Sequence, residues 1–365
     1  MLTLERNSTE AQASPVRVLV VDDSAYMRFT ISKYLGEAAG IEVVGTAHDG
    51  HEALRLIPEL QPTVVTLDIQ MPRMDGLTAL REIMARHPMP VVMLSSLTTE
   101  GAQETVQALT WGAVDFVTKP TAKANVAAII DEVIAKVRGA ACARVWPTKS
   151  TAALKAAARN NGGLESRLGV KTPRRMKSSD KVVVIGTSTG GPRALNAVVP
   201  NLPADLAAAV LIVQHMPVGF TKSLAERLNS VSLLAVKEAE NGDHLEVGRG
   251  LLAPGGFHMM VDDNDLVSLN RNPTVHGVRP AVDVTMASVA QRYGASAIGV
   301  VLTGMGRDGT NGASLIHGSG GQVIAEDEST CVVWGMPRSV AEAGVTDAVV
   351  PLDGVAEAIV RAVNS

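Results

Sequence analysis

Along the first 140 residues, short β-branched runs alternate with longer stretches whose apolar residues recur at helical spacing. The runs are Val16 to Val21, Ile41 to Thr46, Thr63 to Leu67, Val91 to Leu94 and Val114 to Val117; amphipathic stretches such as Ala25 to Ala38 and Leu77 to Arg86 fall between them. Strands separated by helix-length segments pair in parallel and are buried on both faces, which is why they read as continuous apolar runs. Five such β-α units predict a doubly wound α/β domain over residues 15–139. The pattern resumes near residue 180, where Lys181 to Ile185, Ala208 to Val213, Ala297 to Leu302 and Val323 to Ala325 predict a second doubly wound parallel sheet over 180–365. Leu251 to Leu269, broken by Gly255-Gly256 and by Asp262-Asp263-Asn264-Asp265, reads instead as short strands making an antiparallel edge addition to that second sheet. In open sheets of this kind, chemistry gathers beyond the carboxyl ends of the strands.

Charge locates the boundary between the two domains. Residues 140–177 hold nine basic side chains against one acid, Glu165, together with Pro147, Pro173 and Asn160-Asn161-Gly162-Gly163. The stretch carries +8, so the net charge of −4 leaves −12 elsewhere. Residues 140–179 read as a basic interdomain linker without strands, with a short helix over Thr151 to Arg159 where Ala dominates. Its charge suits solvation or docking onto an acidic partner.

Composition then narrows the class. The 365 residues are 46% hydrophobic and 19% charged, enough to bury two cores. Aromatics are 3% and the total charge is negative, which weighs against a nucleic-acid surface. Cys142 and Cys331 are too few for a disulfide framework or a cysteine-rich zinc site, and read as free thiols in a reducing compartment. No apolar run approaches the ~18 residues of a membrane span, and Glu5, Arg6 and Glu10 stand where a signal peptide would be apolar. The expectation is a soluble cytoplasmic protein with no membrane insertion.

Three acids stand at strand ends in the first domain. Asp22-Asp23 follows the first strand, Asp68 the third, and Lys119-Pro120 the fifth. Carboxylates brought together repel unless a cation joins them, and an oxygen-only site with room for water suits Mg²⁺. The metal and Lys119 would neutralise a phosphoryl group passing to one carboxylate. These residues resemble a two-component receiver domain across roughly Pro15 to Gly139. The resemblance implies Asp68 as phospho-acceptor, Asp22, Asp23 and Asp68 as the Mg²⁺ ligands, Ser95 as the switch hydroxyl and Phe116 as the switch aromatic. Gln70 departs from the common Glu of relatives, a difference that bears on phosphoryl lifetime and leaves the acceptor unchanged.

The second domain opens on Gly186-Thr187-Ser188-Thr189-Gly190-Gly191-Pro192 between a strand and a helix. A dinucleotide cradle would need glycine where Ser188 stands and an acid on the next strand, which ends Gln214-His215. A nucleophile elbow fits better, because the glycines admit a tight turn that exposes a serine hydroxyl. Ser188 alone could equally cap the helix, so the reading needs a base. His215 ends the adjacent strand, whereas His244, His258, His276 and His317 end no clear parallel strand. Asp308, in the loop after Ala297 to Leu302, is the candidate orienting acid, with Asp283 as its rival. The chain order Ser, His, Asp is not that of ordinary α/β-hydrolases.

Ile185 to Gly191, Gln214-His215-Met216-Pro217, Leu252 to His258, Arg279 to Ser288, Leu302 to Gly309 and Gly320 to Pro337 together resemble the chemotaxis protein-glutamate methylesterase in its receiver-linked form. The resemblance implies a flavodoxin-like receiver followed by a Rossmann-like esterase. It implies Ser188 as nucleophile, His215 as base and Asp308 as its partner, with backbone N–H groups of Thr189 and Met305 as the oxyanion site. It also implies hydrolysis of glutamyl methyl esters and deamidation of certain glutamines on methyl-accepting chemoreceptors, with a chemotaxis histidine kinase as phosphodonor and no cofactor in the esterase domain. An ester and a primary amide of one side chain share an acyl group, so one serine can attack both. Two other classes compete: a DNA-binding response regulator, which predicts a small helix-turn-helix output, and a non-catalytic receptor-binding adaptor, against which the complete Ser188, His215 and Asp308 set argues.

Overall fold

The computed structural model describes residues 14–119, 126–146, 173–177 and 180–365. In the first domain, β1 (Val16–Val21), β2 (Ile41–Ala47), β3 (Val64–Asp68), β4 (Val91–Ser95) and β5 (Asp115–Thr118) form a parallel sheet in the order β2-β1-β3-β4-β5. Helices α1 (Ala25–Glu37), α2 (Gly50–Leu60), α3 (Gly76–Arg86), α4 (Thr99–Thr110) and α5 (Val126–Ala141) complete it. Side-chain oxygens of Ser24, Asp49, Asp75 and Thr98 accept backbone N–H groups at the starts of α1 to α4, which accounts for where those helices begin. The chain departs from β1 in both directions across the sheet, so the crevice at the ends of β1 and β3 is the switch point.

The second domain is built on seven parallel strands in the order β16-β15-β14-β7-β8-β11-β9. They are β7 (Lys181–Thr187), β8 (Ala208–Gln214), β9 (Ala235–Glu238), β11 (Arg249–Leu252), β14 (Ala297–Val301), β15 (Gln322–Glu326) and β16 (Ala348–Val350). Its helices are α6 (Gly191–Val198), α7 (Phe220–Val231), α8 (Val282–Tyr293), α9 (Thr310–Gly318), α10 (Met336–Glu342) and α11 (Leu352–Asn364). Strands β7, β8 and β14 are buried almost throughout, as their unbroken apolar runs require. Here the switch point lies at β7, flanked by β8 and β14.

Two expectations change. The Leu251 to Leu269 section does not extend the large sheet antiparallel: Leu251 and Leu252 belong to β11, a parallel strand between β8 and β9. Its antiparallel part, β12 (His258–Val261) with β13 (Val267–Asn270), is a separate two-stranded sheet. It is held to α8 by bonds from Thr285 to Met259 O and from the Val261 N–H to Ser288. The basic segment is not free of strands either, because β6 (Arg174–Arg175) pairs antiparallel with β10 (Glu246–Val247). Arg174 also forms a two-bond ion pair with the buried Asp180. The Thr151 to Arg159 helix lies outside the described residues.

Candidate functional site

Register brings the serine and histidine together. β7 and β8 pair Thr187 with Gln214, so Ser188 and His215 leave the sheet side by side. On the other flank, β14 pairs Val301 with Gly186, and the Ser188 N–H donates to Thr303 O at 3.0 Å. Gln214 fixes the turn from below, its Nε2 donating to Ser188 O at 3.0 Å. Gly190 follows at φ +80°, where a Cβ would strike Val332 at 2.5 Å, so the turn and its close packing both require glycine. Gly190, and not Ser188, stands at the cap of α6, and no side chain caps that helix. The half-buried Ser188 hydroxyl has no hydrogen-bond partner among the described residues.

His215 Nε2 lies 2.8 Å from Asp308 Oδ2. Asp308 is buried, and it also accepts the N–H groups of Val282 (2.6 Å), Asp283 (2.9 Å) and Gly309 (3.0 Å). Burial alone would raise its pKa, but the imidazole and backbone donors outweigh that and hold it below the ordinary carboxylate value. The rival Asp283 does not reach His215. It pairs with His276 at 2.8 Å and accepts the N–H groups of Gly309 and Gly312 at the start of α9. The oxygens of both aspartates are thus taken up by N–H donors, although they and His276 lie close enough to share an ion.

Ser188, Thr189, His215, His276, Met305 and Asp308 line one crevice of about 390 Å³. Its opposite wall belongs to the first domain: Asp115 of β5 and Ala135, Lys136 and Gly139 of α5. Asp115 Oδ2 accepts the Thr189 hydroxyl at 2.5 Å, and the Gly190 N–H donates to Val114 O at 3.2 Å. Phe116 packs on Phe220 of α7 with ring centroids 4.6 Å apart. Sequence reasoning missed the roles of Asp115 and Thr303 and the pairing of His276 with Asp283, which depend on partners brought up from distant parts of the chain or by a tight turn.

In the first domain, β1 and β3 pair Val21 with Leu67, placing Asp22 beside Asp68. Asp22, Asp23 and Asp68 each offer an oxygen within 4.8 Å of the others. Lys119 Nζ stands 2.8 Å from Asp22 Oδ2 and 2.6 Å from Asp68 Oδ2. Asp22 Oδ2 is buried and, apart from its ion pair with Lys119, accepts no hydrogen bond among the described residues. An under-satisfied carboxylate oxygen in an all-oxygen cluster fits a hard divalent cation such as Mg²⁺. Burial pushes the Asp68 pKa up to about 6 against the pull of Lys119, with Asp22 adding to the rise. Lys119 loses by burial but gains more from the two carboxylates, so its pKa is raised. The Ser95 hydroxyl is turned toward α4, bonded to Thr105 at 2.6 Å and to Gly101 O at 3.1 Å.

The family model for the response regulator receiver domain matches residues 18–131, and that for CheB methylesterase matches 183–359. The protein-glutamate methylesterase/protein-glutamine glutaminase of Symbiobacterium thermophilum is 51% identical over 364 residues, covering 96% of this chain and 98% of that protein. The protein of the same name from Pyrococcus horikoshii is 45% identical over 361 residues, covering 96% and 94%. Among solved structures, the Thermotoga maritima CheB methylesterase catalytic domain is 50% identical, covering 50% of this chain and 98% of that one with a TM-score of 0.49. With both domain models matched in order and relatives this similar along nearly its whole length, the chain belongs to the receiver-linked CheB methylesterase family.

Proposed function

We propose that this chain is a phosphorylation-controlled serine hydrolase that demethylates glutamate methyl esters and deamidates specific glutamines on methyl-accepting chemoreceptors, giving sensory adaptation in chemotaxis. The carrying observation is that β-sheet register sets Ser188 beside His215, itself 2.8 Å from a buried carboxylate. Ser188 Oγ attacks the side-chain acyl carbon and passes its proton to His215, while Asp308 holds the ring and stabilises the imidazolium. Backbone N–H groups of Thr189 and Met305 receive the oxyanion. The bond to the leaving group then breaks, and His215 returns the proton to release methanol or ammonia. Water attacks the acyl-enzyme with the same proton transfers, freeing glutamate and the serine. His215 is not yet bonded to Ser188, as is common before substrate arrives.

Asp68 takes the phosphoryl group from a chemotaxis histidine kinase. Asp22, Asp23 and Asp68 would hold Mg²⁺, which when bound supplies positive charge against the phosphoryl oxygens. Ser95, Phe116 and Lys119 carry the change outward, and the first-domain wall over Ser188 is released. The chain acts in the cytoplasm; among the described residues no helix is long and apolar enough to cross a membrane. The test is methanol release from methylated receptor. Ser188→Ala should lower the rate by at least ~10³-fold, and equal release by wild type and variant would end the serine assignment. Asp68→Ala should abolish stimulation by a phosphodonor.

A further inference from the structure

One imidazole suffices to move the Ser188 proton, yet two line the crevice. We propose that His276 is a specificity-determining residue that favours the glutamine amide over the glutamate methyl ester, its Nδ1 accepting an N–H from the substrate's –NH₂. The inference rests on the hydrolase reading above and refines its substrate preference.

The backbone places the ring. Val275 and Val278 exchange hydrogen bonds of 3.2 and 3.0 Å, closing a two-residue turn whose central residues, His276 and Gly277, have φ of +54° and +76°. Glycine or asparagine would meet that left-handed requirement with less strain, so the turn does not itself call for an imidazole. Once projected, the ring is fixed through Nε2, 2.8 Å from Asp283 Oδ2. Asp283 is buried, and its other oxygen accepts two backbone N–H groups, from Gly309 at 2.9 Å and Gly312 at 2.8 Å. An ionised carboxylate can only accept hydrogen bonds, as it does from Gly309 and Gly312, so the nitrogen facing it, Nε2, carries a ring hydrogen. In the tautomer with its hydrogen on Nε2, the ring presents Nδ1 as an acceptor, and Nδ1 has no partner among the described residues.

The two substrates differ where such an acceptor reads them. A primary amide carries two N–H donors on its leaving group, whereas a methoxy group carries none. A site built to pair a substrate N–H discriminates strongly against an analogue that lacks it. Nδ1 would hold the amide nitrogen while His215 delivers the proton that lets ammonia depart, the more demanding of the two departures.

The test uses full-length protein with phosphodonor, comparing kcat/KM for ammonia release from glutamine-bearing receptor with that for methanol release from methylated receptor. His276→Gly keeps the left-handed turn and removes the acceptor; His276→Asn is a second variant that suits the same turn. Both should lower the ammonia-to-methanol ratio, the glycine variant by about tenfold or more, as expected for one hydrogen bond to substrate. An unmoved ratio in both variants, or methanol release falling as far as ammonia release, overturns the proposal. Wild-type protein that releases neither product would instead sink the hydrolase reading, so the two failures are told apart.

Discussion

Thr303 is where the nucleophile turn and the loop of Met305 meet. It is fully buried; its carbonyl accepts the Ser188 N–H at 3.0 Å, its hydroxyl donates to Thr189 O at 2.9 Å, and the same oxygen accepts the Val333 N–H at 2.9 Å. Thr303→Val keeps the shape but orphans a buried carbonyl and N–H, at a cost of about 1–3 kcal/mol. Because those groups position the site without touching substrate, kcat should fall by roughly tenfold with little change in KM, and Thr303→Ser should restore it. Equal kcat in the valine variant would remove the role. Behind it, Glu326 Oε2 accepts the Thr303 N–H at 2.8 Å. Burial raises the Glu326 pKa, outweighing the hydrogen bonds from Thr303 and Thr330. A carboxyl raised on folding stabilises the protein below its unfolded value, near 4.5, and that contribution is lost as pH rises through the higher folded value. Glu326→Gln should therefore melt progressively higher relative to wild type as pH is raised from 4 toward 8, in melts roughly one pH unit apart. A constant difference would mean the carboxyl is not perturbed.

Among elements, α4 joins the two sites. Ser95 is bonded to its residues Thr105 and Gly101, and α4 packs against α7, which carries Phe220 beneath Phe116. Rotation of the Ser95 hydroxyl toward a phosphoryl group would break those bonds and loosen the seam. Ser223 of α7 is buried and lines this seam with Gln103 and Gln107. Ser223→Arg should wedge the helices apart and raise methanol release without phosphodonor several-fold, since overpacking at such a contact costs roughly 1–3 kcal/mol. An unchanged basal rate with an intact fold would show that the seam does not hold the receiver down. The elements that build both sites were legible because parallel strands must be apolar on both faces: β1, β3, β7, β8 and β14 all stand out as runs. β9 and β16 do not, being short, only partly buried and the two edge strands of their sheet. Leu251 and Leu252 were misread because a four-residue parallel strand entering a Gly-rich hairpin looks like part of the hairpin.

At the scale of the whole molecule, β5 links the proposed phospho-acceptor Asp68 and the proposed nucleophile Ser188. It begins at Asp115, holds Phe116 and runs toward Lys119, which bridges Asp22 and Asp68. Asp115 Oδ2 accepts the Thr189 hydroxyl at 2.5 Å, while Oδ1 is held by Lys136 at 2.8 Å and by the Phe116 N–H at 2.9 Å. No local period could have revealed this contact, because its partner lies 74 residues away in the other domain and depends on how two finished sheets dock. Physically it does two things. It ties the receiver wall to the turn that carries Ser188, and it sets a carboxylate beside Thr189, where the proposed mechanism develops an oxyanion. Negative charge there opposes the oxyanion that the backbone N–H groups are placed to stabilise. Asp115→Ala removes both effects. A hydrogen bond to a charged group is worth about 1.5–3 kcal/mol, which corresponds to a roughly ten- to hundredfold shift in an equilibrium between closed and open arrangements. Basal methanol release should therefore rise by up to that factor, and a phosphodonor should add correspondingly less to it. Asp115→Asn, which can still accept the Thr189 hydroxyl but carries no charge, should fall between wild type and alanine. A basal rate unmoved by both substitutions, with phosphodonor stimulation intact, would mean that some other contact keeps the receiver over the crevice.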